Sequence, residues 1–218
     1  MTLRIVLCGL VSSLALQAQK TFEGSITYTT KIEGAMAEQM KEMLQDQLPE
    51  KMVLHYRGNR GRSDLGSMAL ITDGDAGLLY LLNPALQTYQ KVPITDPKDA
   101  QKTPKITKTK EKTKILGYPV TKYLMEVDTE QGPMKMEMWV TPELRVAEVL
   151  KRSNPLARGA EVEGIPLRIS MDVPGVDLRI TFLATQLSKT PPDESLFRIP
   201  EGYVEEKAES ASPSGGQD

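Results

Sequence analysis

Apolar and polar residues alternate with a period of two along much of this chain, and that rhythm admits few architectures. Phe22, Gly24, Ile26, Tyr28, Thr30 and Ile32 fall on one side of an extended segment, with Glu23, Ser25, Thr27, Thr29 and Lys31 on the other. Met134, Met136, Met138 and Val140 alternate with Lys135, Glu137, Trp139 and Thr141. Leu167, Ile169, Met171 and Val173 alternate with Arg168, Ser170 and Asp172. Each is the pattern of an antiparallel strand with one face in a core and one in water. Further strands are predicted over 52–57, 67–73, 77–82, 86–92, 105–115, 118–128, 178–188 and 197–204. Asp73-Gly74, Asn83-Pro84, Leu116-Gly117, Gln131-Gly132-Pro133 and Pro174-Gly175 supply the turns.

Two segments break the alternation. Across 35–48, Met36, Met40, Met43, Leu44 and Leu48 recur every three or four residues and make one apolar stripe, with Glu38, Lys41, Glu42 and Asp46 off it. A second helix is predicted from Thr141-Pro142-Glu143 to about Lys151: Thr141 can cap, proline suits the first helical position, and Glu143 suits the positive helix end. About eleven strands with two helices give an α+β fold, a large curved antiparallel sheet with helices on its concave side.

Residues 1–18 read as a secretory signal peptide, with Arg4 as the positive start, Ile5 to Leu16 apolar and the small Ala18 at the cleavage point. The apolar stretch falls short of the roughly 20 residues of a membrane-spanning helix, and no second long apolar run follows. The expected organisation is therefore a signal peptide (1–18), one domain over 19–204 and a disordered polar tail (205–218), with the mature protein periplasmic or secreted. A domain of this size buries about 70 % of the surface its unfolded chain exposes. The single cysteine, Cys8, lies in the signal, so the mature chain is expected to form no disulfide of its own. Ile5-Val6-Leu7 also lacks the small residue that precedes a lipidated cysteine. A formal charge of −2 argues against nucleic acid as a partner.

Familiar catalytic constellations are missing. His55, the only histidine, sits in Val53-Leu54-His55-Tyr56-Arg57, where Leu54 and Tyr56 point inward and the imidazole outward. Leu65-Gly66-Ser67-Met68-Ala69 lacks the second glycine of a nucleophile elbow. One histidine and no mature cysteine rule out the usual zinc and copper ligand sets. Asp73-Gly74-Asp75 opens like a calcium loop but lacks the later acidic ligands, and reads as a hairpin turn. No phosphate-binding loop is present, so no cofactor is expected. Lys108, Lys110, Lys112 and Lys114 project from one side of a strand; they either meet anionic headgroups or, more simply, protect an exposed sheet edge. Ten of the eleven methionines lie in the mature chain, concentrated on the first helix and on the 134–138 strand face. Flexible thioethers pack against variable apolar partners; they either line a pocket or fill an ordinary core.

Several stretches resemble a known family: Phe22-Glu23-Gly24-Ser25-Ile26-Thr27-Tyr28, Ala76-Gly77-Leu78-Leu79-Tyr80-Leu81-Leu82-Asn83-Pro84, Ile115-Leu116-Gly117-Tyr118-Pro119-Val120-Thr121-Lys122-Tyr123, Met138-Trp139-Val140-Thr141-Pro142-Glu143-Leu144 and Phe197-Arg198-Ile199-Pro200-Glu201-Gly202-Tyr203. With these the chain, from about 20 to 204, is similar to a bacterial exported domain-of-unknown-function family, grouped with the half-barrel fold of the lipoprotein carrier LolA. The resemblance implies an open, bent sheet closed on one side by helices over a hydrophobic cavity, in a fold that carries lipids or lipoproteins or senses envelope stress. Met36, Met40, Met43 and Leu44 would then form a movable cover, and Met134, Met136, Met138, Ile169 and Met171 the floor. The expected function is non-catalytic binding or carriage of an apolar ligand, a lipid or the acyl chains of a lipoprotein. The competing expectation is an envelope interaction or stress-sensing domain that binds a protein partner and holds no ligand.

Overall fold

Antiparallel pairing gathers the alternating segments into one sheet. The computed structural model describes residues 21–44, 48–94, 104–129, 132–153 and 162–206; the predicted signal peptide and most of the predicted tail lie outside them. In chain order the elements are β1 (Gly24–Glu33), α1 (Ala37–Leu44), β2 (Lys51–Arg57), β3 (Arg60–Leu65), β4 (Met68–Asp73), β5 (Leu78–Asn83), β6 (Thr88–Pro93), β7 (Lys105–Ile115), β8 (Tyr118–Thr129), β9 (Gly132–Thr141), α2 (Glu148–Ser153), β10 (Ile165–Asp172), β11 (Arg179–Ser188) and β12 (Val204–Glu205), with a 3₁₀ turn at Glu194–Phe197 between the last two. The twelve strands lie in the order β12-β6-β5-β4-β3-β2-β1-β11-β10-β9-β8-β7.

Two meanders therefore run outward from the centre, where β1 pairs with β11 along almost its whole length. This topology forces a bend. From β6 to β7 there are ten strand spacings, about 48 Å if the sheet were flat. The chain between Pro93 and Lys105 is twelve residue steps, which reach at most about 43 Å when fully extended. A flat sheet could not be threaded, so the layer curls and brings its two wings together over a shared core.

That core contains Ile26, Tyr28, Met52, Leu54 and Tyr56 from one wing, and Tyr123, Met125, Met138, Leu167, Ile169 and Phe182 from the other. Leu144, Val146 and Leu150, from the segment after β9, belong to it, and Met40 of α1 packs against it. Tyr28 is buried and donates its hydroxyl to the carbonyl of Pro166 at 2.8 Å, which satisfies both polar groups. α2 approaches closely because β3 and the β4–β5 turn present glycines: a Cβ on Gly61 would lie 3.2 Å from Leu150 Cδ2, and one on Gly74 would collide with Val149.

Three sequence expectations need correction. Thr141 does not start a helix; it pairs with Ile165 as the last residue of β9, and α2 begins only at Glu148. The ladder partner outweighs the local capping signal. β3 is absent from the predicted strands, because its outward side chains are Arg62 and Asp64 and one inward position is Gly61. The predicted strand over 197–204 does not form: a 3₁₀ turn, capped by Asp193 accepting from Ser195 N–H at 2.8 Å, ends at Phe197, the chain from 198 to 203 is irregular, and only Val204–Glu205 pair as a strand.

The chain beyond β11 crosses the outer face of the first wing as a strap. Arg57 donates to Pro192 O at 2.8 Å and Arg62 to Leu196 O at 3.2 Å. Tyr203 then packs with Tyr80 and Tyr89 on a small outer cluster of Ala69, Ile71 and Leu82. β12 pairs in parallel with β6 and covers that edge. The opposite edge, β7, carries the lysines. Its register shifts between Lys108 and Lys112 by a bulge, so Lys110 leaves the row that Lys108 and Lys112 share.

Candidate functional site

Strand register sets the geometry of the inner face. Across β8, β9, β10 and β11, one row reads Met125, Met136, Met171, Ile180 and the next Tyr123, Met138, Ile169, Phe182. Directly opposed residues of an antiparallel pair share a face, so the five floor positions lie together. Met136, Met138 and Ile169 are buried; Met134 and Met171 are half-buried against the same cluster.

The first helix meets that face through fewer residues. Ala37 and Met40, three apart, form its inner side. Met36 precedes the helix and is exposed, Met43 is 66 % exposed, and Leu44 is the helix's last residue. Residues 45–47, within the predicted stripe, lie outside the described residues. The helix is tied to the β10–β11 turn, where Asp177 accepts from Ala35 N–H at 3.0 Å.

On the first wing the same face continues with apolar residues that the sequence reading does not place in the site. Leu54 opposes Ser63, Ser63 opposes Leu70, and Leu70 opposes Leu81; Tyr56, Gly61, Thr72, Leu79 and Val92 form the adjacent row. Leu70, Leu79 and Leu81 are half-buried, Val92 is 37 % exposed and Met68 45 % exposed. Among the described residues neither buried cluster includes them. The signal for this wall is the run Leu78-Leu79-Tyr80-Leu81-Leu82, apolar on both faces. Its outward half is accounted for by the strap, through Tyr203, and its inward half is the wall.

Polar groups lie elsewhere. On the outer face, His55 Nδ1 is 2.7 Å from Ser25 Oγ, and its Nε2 is 3.7 Å from Asp64. Asp64 is itself held by Arg62 at 2.8 Å. Burial holds the imidazole below its usual value, opposed by the Asp64 carboxylate and assisted by Arg62. The grouping ties β1, β2 and β3 together beneath the strap. A depression of about 250 Å³ at the β2–β3 turn is polar, and its groups engage one another: Arg57 with Glu194 at 3.1 Å, Asn59 with Asp75 at 2.8 Å, and Glu23 with Gly58 N–H at 3.2 Å. On the far wing, Lys122 and Arg179 flank Glu137; burial pushes its carboxyl up, and the two cations together outweigh that and hold it below the usual range. Among the described residues no three metal-ligating side chains converge, and no helix is long and apolar enough to cross a membrane.

Comparison with known proteins gives one family. The model for a domain of unknown function, DUF4412, matches residues 22–203. No curated protein matches the chain. Similar solved structures include an uncharacterized conserved protein from Thermus thermophilus, with a TM-score of 0.43 and 10 % identity, covering 84 % of this chain and 91 % of that one. A putative outer membrane lipoprotein-sorting protein domain from Vibrio parahaemolyticus has a TM-score of 0.31 and 11 % identity, covering 80 % of this chain and 89 % of its own. A DUF1329 family protein from Desulfovibrio piger has a TM-score of 0.30 and 8 % identity, covering 84 % and 90 %.

Proposed function

Because the chain belongs to the DUF4412 family, a grouping that names no activity, we propose from its own inner face that it is an exported, non-catalytic binding or carrier protein for an apolar ligand, a lipid or the acyl chains of a lipoprotein. The observation that carries this reading is the half-exposed wall of Met68, Leu70, Leu79, Leu81 and Val92, continuing the face that holds the thioether floor. A sheet leaves such a surface accessible only at a cost in hydration, and a ligand chain removes that cost. Burying about ten methylenes gains ~8 kcal/mol gross, against ~4 kcal/mol or more for lost translational and rotational freedom. Half-buried Met134 and Met171 adapt to the chain's shape, fully buried Met138 and Ile169 back them, and Met40 holds the helix in place. Met36, Met43 and Leu44 supply the movable cover.

Native mass spectrometry of protein purified from the cell envelope tests the reading. Co-purified lipid and saturable uptake of a fluorescent fatty acid are expected, with Leu79→Asp and Leu81→Asp each weakening uptake at least about tenfold through a charge placed on the wall. A clean apo mass with no uptake overturns it.

A further inference from the structure

We propose that the free edge of the sheet, β7 with its turn into β8, is a docking surface for an anionic lipid bilayer. The inference stands apart from the apolar-ligand reading, since it rests on the opposite end of the sheet order from the wall and on different residues.

Charge is the first observation. Lys31, Lys41, Lys91, Lys122 and Lys151 each meet a carboxylate. Among the described residues, Lys108, Lys110, Lys112 and Lys114 meet none, although all four sit on one exposed strand. Like charges gathered this way repel one another, and an anionic surface relieves that repulsion.

Second, the edge is not built to accept a strand. At the bulge, Glu111 N–H turns back to Thr109 Oγ1 at 3.1 Å, and Thr109 donates to Lys122 O at 3.0 Å. The hydroxyl thus bridges a gap in the β7–β8 ladder, which is out of register at its middle, and a bulged edge is a poor template for an added strand. A partner meets the side chains here and leaves the backbone alone.

The third observation is the turn itself. Ile115 opposes Tyr118, so Leu116-Gly117 forms a two-residue hairpin loop. Both residues have positive φ, 51° and 82°. That geometry favours Asn-Gly, and a leucine in the left-handed region is disfavoured. Leu116 is nevertheless there, 41 % exposed. Beside it Lys189 lies 5.3 Å from the centre of the Tyr118 ring. A protruding leucine, a half-buried tyrosine and flanking lysines are the combination that seats a surface at the headgroup boundary: the leucine enters the acyl margin, the ring sits at the interface and the ammonium groups meet phosphates.

Flotation with vesicles tests this, using the protein as recovered from the expressing cell. Equimolar phosphatidylglycerol–phosphatidylcholine vesicles should bind it, pure phosphatidylcholine vesicles should not, and ~1 M salt should release it. Lys112→Gln with Lys114→Gln should weaken binding about 25-fold, about fivefold for each charge removed. Leu116→Asn should weaken it about tenfold while leaving the thermal midpoint unchanged or raised, because asparagine suits the turn; this variant keeps the test independent of folding. Equal binding to both vesicle types, or binding indifferent to both sets of substitutions, overturns the proposal. So does binding of polyglutamate through these lysines without binding of vesicles, which would make the edge a site for an acidic protein.

Discussion

Met138 is the position at which packing of the floor can be weighed directly. Its side chain is fully buried between Tyr123 of β8 and Ile169 of β10, themselves buried. Truncation to alanine removes the thioether from a site walled on both sides by ladder partners, so little collapse is available. Met→Ala in such surroundings costs roughly 2–5 kcal/mol, transfer and residual void together, and ~3 kcal/mol is the expected loss. For a domain of this size each kcal/mol moves the thermal midpoint by roughly 2–4 °C, so the expected fall is about 6–12 °C. Met43→Ala is the internal control: at 66 % exposure it should change stability by no more than ~0.5 kcal/mol. Scanning calorimetry and urea titration measure both, and an unchanged urea slope confirms that native compactness is kept. A loss below ~1 kcal/mol at Met138 would mean that empty space already adjoins its thioether, and the account of a packed floor behind the wall would be wrong.

Gly74→Ala should destabilise by about 1–3 kcal/mol in urea titration, because its Cβ would strike Val149 and lie 2.6 Å from the Asn59 carbonyl oxygen; a neutral effect would show that α2 is not held against the β4–β5 turn. Gly61→Ala, whose nearest neighbour is the movable Leu150 methyl at 3.2 Å, should cost less than Gly74→Ala by the same measurement. Burial pushes the Tyr28 and Tyr56 hydroxyls well above their usual value, so folding favours their protonated forms. Their contribution is complete below about pH 10 and is lost as pH rises toward the folded-state values, by ~1.4 kcal/mol per group per pH unit. The Tyr28 and Tyr56 hydroxyls of the native protein should therefore stay protonated at pH ~10 and ionise only as the fold opens; tyrosinate absorbance of Tyr28→Phe and Tyr56→Phe against the parent measures this, and ionisation of either phenol in the native protein near pH ~10 would refute the buried placement.

Much of the sheet is legible in the sequence because its strands have one wet face. β1, β9 and β10 show unbroken alternation, and each is found where it is predicted. β3 escapes detection because one core position is a glycine, whose missing side chain is replaced by Leu150 from α2, far away in sequence. No local pattern can report a partner so distant. The strap misleads for a related reason: its apolar residues Phe197 and Tyr203 are spaced to cover a sheet face without forming a strand themselves. That Met134, Met136, Met138 and Met171 share the inner face can be read from spacing alone, whereas the inward positions of Leu70, Leu79 and Leu81 are hidden in segments apolar on both sides. Only the register across β3, β4 and β5 separates inward from outward leucines there.

Pairing of the earliest long strand with one of the latest has a consequence for synthesis. Until Arg179–Ser188 emerges, one side of β1 has no ladder partner, so a nascent chain holds a raw hydrogen-bonding border through most of its elongation. A product truncated before β11 should therefore aggregate, because its two meanders have nothing to join them. One ending just after Ser188 loses only the strap and β12, and should still assemble.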